Sequence, residues 1–196
     1  MKKNKCIFLD RDGTINKYKC LLHNKDDLFL EQGAAKAIKM INESEYLCIV
    51  ISNQSVVARN LCTMQEVQEI NLKLEELLYK ENGAYLDDIF ICPHHPDSGF
   101  PEENKKYKIK CSCRKPNIGM IEEAVRKYNI DVTQSYIVGD TTIDIQTGKN
   151  AGLKTILVKT GLAGMDHSFD IEADVIVENI MVAVEFILSR NSIEKR

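Results

Sequence analysis

Cys6-Ile7-Phe8-Leu9-Asp10-Arg11-Asp12-Gly13-Thr14 decides how this chain is read. Four apolar residues in a row mark a strand covered on both faces, as in a parallel sheet, and two aspartates stand directly at its end. Gly13 lets the backbone turn sharply after them. The same pattern recurs outward from this point. Leu47-Cys48-Ile49-Val50-Ile51 runs into Ser52-Asn53-Gln54, and Tyr136-Ile137-Val138 runs into Gly139-Asp140; Arg114-Lys115-Pro116 is a fourth polar cluster. In an open α/β sheet ligands bind beyond the carboxyl ends of the strands, so these distant segments are expected to converge in one cleft. A single polar cluster after a strand is ordinary, whereas four in series point to a catalytic site.

Periodicity supplies the intervening elements. Ala34, Ala37, Ile38 and Ile41 share a helical face within 33–43, and Val67, Ile70, Leu74, Leu77 and Leu78 recur at helical spacing behind Thr63 and Glu66, which have capping-box spacing; Asn82-Gly83 ends that helix. Further helices are expected over 120–128, 143–150 and 180–189, and strands over 89–91, 155–158 and 175–177, the last at an edge. Strands alternating with helices imply parallel βαβ crossovers, hence an α/β fold with a three-layer, doubly wound parallel sheet. The expected organisation is one domain over residues 1–190, with a frayed tail at 191–196. No segment is long enough to form a separate cap over the cleft.

Composition narrows the function. The chain has 196 residues, a net charge of −3 and seven cysteines, with a pI of about 5.9. That balance argues against a nucleic-acid scaffold held by bulk basicity and suits a small anionic substrate. The charged Met1-Lys2-Lys3-Asn4-Lys5 start is followed by too short an apolar run for a signal peptide, and no stretch approaches membrane length. A cytoplasmic monomer is expected, with reduced thiols rather than a disulfide framework. Cys6 and Cys48 read as packed strand thiols, and Cys20 and Cys62 as thiols on exposed loops.

The polar clusters contain the parts of a phosphoryl-transfer site. One carboxylate of the Asp10/Asp12 pair can attack phosphorus while the other protonates the departing oxygen and then activates water. Charge on the transferring group needs neutralising. Asp140 can hold a metal, Lys115 supplies a cation and Ser52 a hydroxyl. Hard carboxylate oxygens favour Mg²⁺. A second metal is read at Cys92-Pro93-His94 and Cys111-Ser112-Cys113, which frame a loop rich in Pro, Gly, Lys and Glu. Three thiolates and an imidazole make a complete tetrahedral zinc set, closed and therefore structural. Cys113 directly precedes Arg114 and Lys115, so fixing that metal would fix two cations.

Asp-x-Asp-Gly-Thr at 10–14, Ser52-Asn53-Gln54, Lys115 and Gly-Asp-x-x-x-Asp at 139–144 resemble the four motifs of the haloacid dehalogenase superfamily of phosphohydrolases. The resemblance implies that Asp10 is the nucleophile, Asp12 the general acid/base, and that Asp10, the Asp12 carbonyl and Asp140 hold Mg²⁺. It leaves Asp144 as a residue behind the ligands or a helix N-terminal charge. Cys-Pro-His-His-Pro at 92–96 followed by Cys-x-Cys-Arg-Lys-Pro resembles the zinc loop of heptose 1,7-bisphosphate and histidinol-phosphate phosphatases. That resemblance implies removal of the 7-phosphate of the heptose bisphosphate, or turnover of another sugar phosphate or histidinol phosphate. Asn53, Gln54, Ser55, Arg59 and Arg114 would hold the substrate. Tyr18-Lys19-Cys20-Leu21, Val56 and Thr141 depart from the family's pattern, so the resemblance fixes the chemistry more firmly than the sugar. A zinc-stabilised binding module without activity is the non-enzymatic alternative; unused buried aspartates would only cost it stability.

Overall fold

The computed structural model describes residues 3–96 and 103–194. The elements in chain order are β1 (Lys5–Leu9), α1 (Ala34–Asn42), β2 (Tyr46–Asn53), α2 (Met64–Asn82), β3 (Asp88–Cys92), α3 (Gly119–Tyr128), β4 (Tyr136–Gly139), α4 (Thr142–Ala151), β5 (Lys154–Val158), β6 (Val175–Val177) and α5 (Ile180–Glu194). The six strands form one sheet in the order β3-β2-β1-β4-β5-β6. Every neighbouring pair is parallel, with Leu9 opposite Val50 on one side and Val138 on the other. The chain winds out from β1 through β2 to β3, then crosses back to β4 and winds the other way. That reversal opens a crevice between the carboxyl ends of β1 and β4, where Asp10 and Asp140 stand.

Successive strand residues point to opposite faces, so each continuous apolar run feeds two cores at once. Ile7, Leu9, Cys48, Val50 and Val138 pack under α1, α2 and α5. Cys6, Phe8, Ile49, Ile51 and Ile137 pack against Met120, Ile121 and Ala124 of α3. The layers are therefore helices, sheet, helices, as the α/β pattern requires. Thr63 caps α2, its hydroxyl accepting from the Glu66 N–H while the Glu66 carboxylate accepts from the Thr63 N–H, which fixes the start of the longest helix.

The helices and strands stand within a residue or two of their expected positions. The clearest difference is α5, which continues past Ser189 to Glu194, into the stretch expected to fray. Its apolar face over Ile180, Ala183, Val184 and Ile187 anchors it to the core. Two short 3-10 turns, Lys25–Asp27 and Val132–Gln134, carry no apolar periodicity and went unread. Cys20 is exposed as expected. Cys62 is not, because its loop folds back so that the thiol packs with Val56, Val57 and Val67.

Helix α4 rests on the sheet through Gly148. A Cβ there would press into the methyl groups of Ile137 and Thr155, well inside van der Waals contact. Gly to Ala in a helix interior ordinarily stabilises by about 1 kcal/mol, but overpacking a tight core costs about 1–3 kcal/mol. Gly148→Ala is therefore expected to lower stability, by about 1 kcal/mol net. A urea midpoint at or above that of the unsubstituted protein would show that α4 can shift to make room.

Candidate active site

Lys115 lies at the centre of the crevice. Its ammonium donates to Asp10 Oδ1 at 2.7 Å, Asp144 Oδ1 at 2.5 Å and the Ile51 carbonyl at 3.1 Å. All three donors are thereby used inside the protein. Burial works to lower the Lys115 pKa, but the two carboxylates outweigh it and hold the ammonium well above its ordinary value. Asn53 fixes the lysine from behind: its Oδ1 accepts the Lys115 N–H at 3.0 Å and its Nδ2 donates to the Lys115 carbonyl at 3.1 Å. Asn53, expected to hold substrate, also lines the crevice.

Asp10, Asp140 and Asp144 present carboxylate oxygens within 4.8 Å of one another. Asp144 is fully engaged, with Oδ1 on Lys115 and Oδ2 accepting from the Thr141 hydroxyl and N–H in the capping box of α4. Asp144 is a helix N-terminal charge in the first turn of α4, and one of its oxygens lies in the same cluster as those of Asp10 and Asp140. Asp140 Oδ2 accepts from the Leu162 N–H at 2.7 Å, while its buried Oδ1 has no partner. Gly13 and Gly161, both at positive φ, crowd this carboxylate so closely that a Cβ on either would overlap it. Burial first, then the neighbouring carboxylates, push Asp10 up to about 7 and Asp140 up to about 8. An orphaned buried oxygen beside clustered hard donors fits a divalent cation such as Mg²⁺.

Asp12 is placed differently. Burial works to raise its pKa, but the Arg11 guanidinium, with Asn16 and Gln54, holds the carboxyl below its usual range. Arg11 Nη2 donates to Oδ2 at 2.8 Å, Asn16 Nδ2 to Oδ1 at 2.9 Å and Gln54 Nε2 to Oδ2 at 2.9 Å. Gln54 also donates to the Ser52 hydroxyl at 2.8 Å. Only 2% exposed, Gln54 serves Asp12 and Ser52 directly. Neither Arg11 nor Asn16 was read as functional. Arg11 lies inside the first motif and Asn16 two residues past it, and nothing in their spacing signals that they turn back onto Asp12.

The crevice is a cleft of about 190 Å³. Asp10, Asp12, Ser52, Lys115 and Asp140 line its base, and Tyr18, Lys19, Ser55 and Arg114 its walls. Arg59 is absent from the lining. Its Nε reaches Ser55 Oγ at 3.4 Å and its Nη2 lies 3.4 Å from His95 Nε2.

The cysteine cluster forms beside this cleft because Cys92, the last residue of β3, pairs in register with Asn53, the last of β2. Cys92, His94, Cys111 and Cys113 converge, with Sγ to Sγ distances of 3.1, 3.3 and 3.5 Å and His94 Nδ1 3.3 Å from Cys113 Sγ. Four ligands about 2.0–2.3 Å from one ion stand roughly 3.3–3.8 Å apart. The cluster fits a tetrahedral metal such as zinc. Arg114 leaves it directly, its N–H on Cys111 Sγ at 3.4 Å and its Nη1 donating to the His94 carbonyl at 3.1 Å.

A model of the HAD-hydrolase-like family matches residues 112–183. The D-glycero-beta-D-manno-heptose-1,7-bisphosphate 7-phosphatase of Haemophilus ducreyi is 36% identical over 93% of this chain and 98% of that protein. The D-glycero-alpha-D-manno-heptose-1,7-bisphosphate 7-phosphatase of Photorhabdus laumondii is 42% identical over 81% of this chain and 85% of that one. Among solved structures, the D,D-heptose 1,7-bisphosphate phosphatase of B. bronchiseptica, complexed with magnesium and phosphate, superposes with a TM-score of 0.82 at 30% identity, covering 95% of this chain and 99% of its own. With sequence similarity spanning nearly both full lengths and the same fold beneath it, the chain belongs to the heptose-1,7-bisphosphate 7-phosphatase family of HAD-like phosphatases.

Proposed function

We propose that residues 1–190 form one catalytic domain that removes the 7-phosphate of a D-glycero-D-manno-heptose 1,7-bisphosphate through an aspartyl-phosphate on Asp10. The observation that carries this reading is the meeting of Asp10, Asp140 and Lys115 at the switch point of the sheet, in a chain 36% identical to such a phosphatase over 93% of its length. An Asp10 oxygen attacks phosphorus and the bond to the sugar oxygen breaks, with Asp12, which takes up a proton when the negative charge of the bound phosphate raises its pKa, delivering that proton to the departing oxygen. Asp12 then takes a proton from water, which attacks the aspartyl-phosphate, freeing phosphate and the Asp10 carboxylate. Lys115 and the Ser52 hydroxyl stabilise charge on the phosphoryl oxygens as the bond order shifts. Asp10, Asp140 and the Asp12 carbonyl would hold Mg²⁺, which would supply Lewis-acid charge to the transferring phosphoryl group. Arg114 and the neighbouring wall residues hold the rest of the sugar phosphate. The same reading takes the protein as a cytoplasmic monomer with no nucleic-acid partner; its net charge of −3 argues against a nucleic-acid scaffold, and among the described residues no helix is long and apolar enough to cross a membrane.

Asp10→Asn is expected to cut phosphate release from the heptose bisphosphate by at least about 10³-fold, because an amide of the same shape cannot attack phosphorus. Asp12→Asn loses about 10²–10⁴-fold while its backbone carbonyl is untouched. A time course of phosphate release on the heptose bisphosphate and on histidinol phosphate tests both chemistry and substrate. Turnover of histidinol phosphate alone would overturn the substrate, and an active Asp10→Asn enzyme would overturn the nucleophile.

Stability without added Mg²⁺ is expected to fall as the solution becomes more alkaline. Asp10 and Asp140 hold their protons more tightly folded than unfolded, so the fold is favoured while both are protonated. That contribution drains away as pH rises from the unfolded value of 3.8 to about 7 for Asp10 and about 8 for Asp140. Mg²⁺ replaces the lost protons, so the rise in Tm on adding it should be larger at pH 8 than at pH 5. A rise of equal size at both would remove these two groups as its origin.

Elemental analysis is expected to give about one zinc per chain, as a closed four-ligand site requires. Stripping it should lower activity several-fold through Arg114 and Lys115 while far-UV circular dichroism is retained, since both apolar cores lie on the sheet faces. Full activity in zinc-free protein would exclude this supporting role.

A further inference from the structure

Helix α2 breaks the rule of its own buried face. Val67, Ile70, Leu74 and Leu78 are buried, and among them stands Asn71, 8% exposed. A buried carboxamide costs free energy unless it is hydrogen-bonded, and an apolar residue here would extend the core. Its partner is Arg11: Nη1 donates to Asn71 Oδ1 at 3.0 Å. Arg11 is 0% exposed, the largest fully buried side chain among the described residues. Its other edge faces Asp12, with Nη2 on Oδ2 at 2.8 Å and on Oδ1 at 3.1 Å, and Nε on Oδ1 at 3.3 Å.

A guanidinium is planar, so fixing one end fixes the direction in which the other end presents its donors. Arg11 sits on a sharp turn; Asn71 sits on a helix of 19 residues packed into the main core. We propose that Asn71 is a positioning residue for proton delivery: through Arg11 it ties Asp12 to the rigid α2 framework and sets the angle at which Asp12 meets the departing sugar oxygen. A residue that breaks its local packing rule for such a link is a device of function rather than of stability. The inference rests on the reading of Asp12 as the general acid.

The test uses leaving groups. A sugar alkoxide needs a proton as the P–O bond breaks, whereas p-nitrophenolate departs without one, so a fault in proton delivery lowers kcat/KM on the first substrate and spares the second. Asn71→Ala, with zinc content and Tm recorded, is expected to lose about tenfold or more in kcat/KM on heptose 1,7-bisphosphate and less than about twofold on p-nitrophenyl phosphate. Asn71→Asp keeps the oxygen that Arg11 donates to and should restore most of the difference. If Asn71→Ala folds poorly, Arg11→Lys preserves the buried charge but cannot bridge both partners, and should show the same selective loss. Equal losses on both substrates, or none on either, would overturn the proposal. Asp12→Asn separates the two ideas: a selective loss there with none in Asn71→Ala removes only the positioning role, while equal losses in Asp12→Asn remove the general acid and the positioning role with it.

Discussion

The rest of the site depends on one ammonium group. Lys115 stands between Asp10 and Asp144 with its third donor on the Ile51 carbonyl, and Asp140 lies within the same cluster of oxygens. Three buried carboxylates against one lysine is an arrangement that a low-dielectric interior penalises, and it persists only where every charge is hydrogen-bonded. Asp144 is satisfied entirely from within, by Lys115 and the start of α4. Asp10 keeps one oxygen off the lysine, and Asp140 keeps one with no partner. The excess negative charge therefore falls on the two residues at the ends of β1 and β4, where a cation and a phosphoryl group are to meet. The fold concentrates charge at the point where its ligands can relieve it.

Holding a lysine this deeply requires support, because Lys115 lies on a loop between the cysteine cluster and α3. Two constraints act on that loop. Asn53 grips the Lys115 peptide at both its N–H and its carbonyl, and the four converging ligands of the cluster tie the preceding residues to the end of β3. Because Asn53 and Cys92 are register partners, both constraints derive from neighbouring strand ends. A small error in the pairing of β2 with β3 would displace the peptide and the cluster together, so the geometry of the lysine is inherited from the sheet.

Much of this was legible in the sequence, for local reasons. Apolar runs followed at once by polar residues located the strands and the crevice, and Thr63 with Glu66 announced the start of α2, because strand burial and capping depend on neighbours in the chain. Asp10, Asp12, Ser52, Lys115 and Asp140 were brought to the cleft and the four zinc-type ligands to one point. What stayed hidden was pairing across long separations. Asn53 and Gln54 follow a strand just as substrate-binding residues do and both line the cleft, but nothing local signals that the first also holds the Lys115 backbone and the second Asp12. Arg59 carries the right charge but is absent from the lining, and Asn71 reads as an ordinary polar residue on a helix. Cys62 seemed exposed because a loop that folds back onto Val56 and Val67 carries no periodic signal.

The contrast between the two aspartates of the first motif follows from the same geometry. They are two residues apart in one turn, Asp10 buried and Asp12 half-buried, yet one is pushed up and the other held down. Asp10 ends the central strand and points into the carboxylate cluster, where burial and like charge dominate. Asp12 lies where the turn passes Arg11, Asn16 and Gln54, and donors surround it. Set by the protein's own groups, these shifts run against the two roles, since the group that bonds phosphorus must be ionised and the one that delivers a proton must carry it: a cation beside Asp10 would lower its pKa, and the negative phosphoryl group beside Asp12 would raise its own. Gly13, directly after Asp12, turns the chain at positive φ and leaves room beneath for Asp140. A side chain at residue 13 would occupy the space of the Asp140 carboxylate, so the turn that follows the two aspartates also admits the third acid.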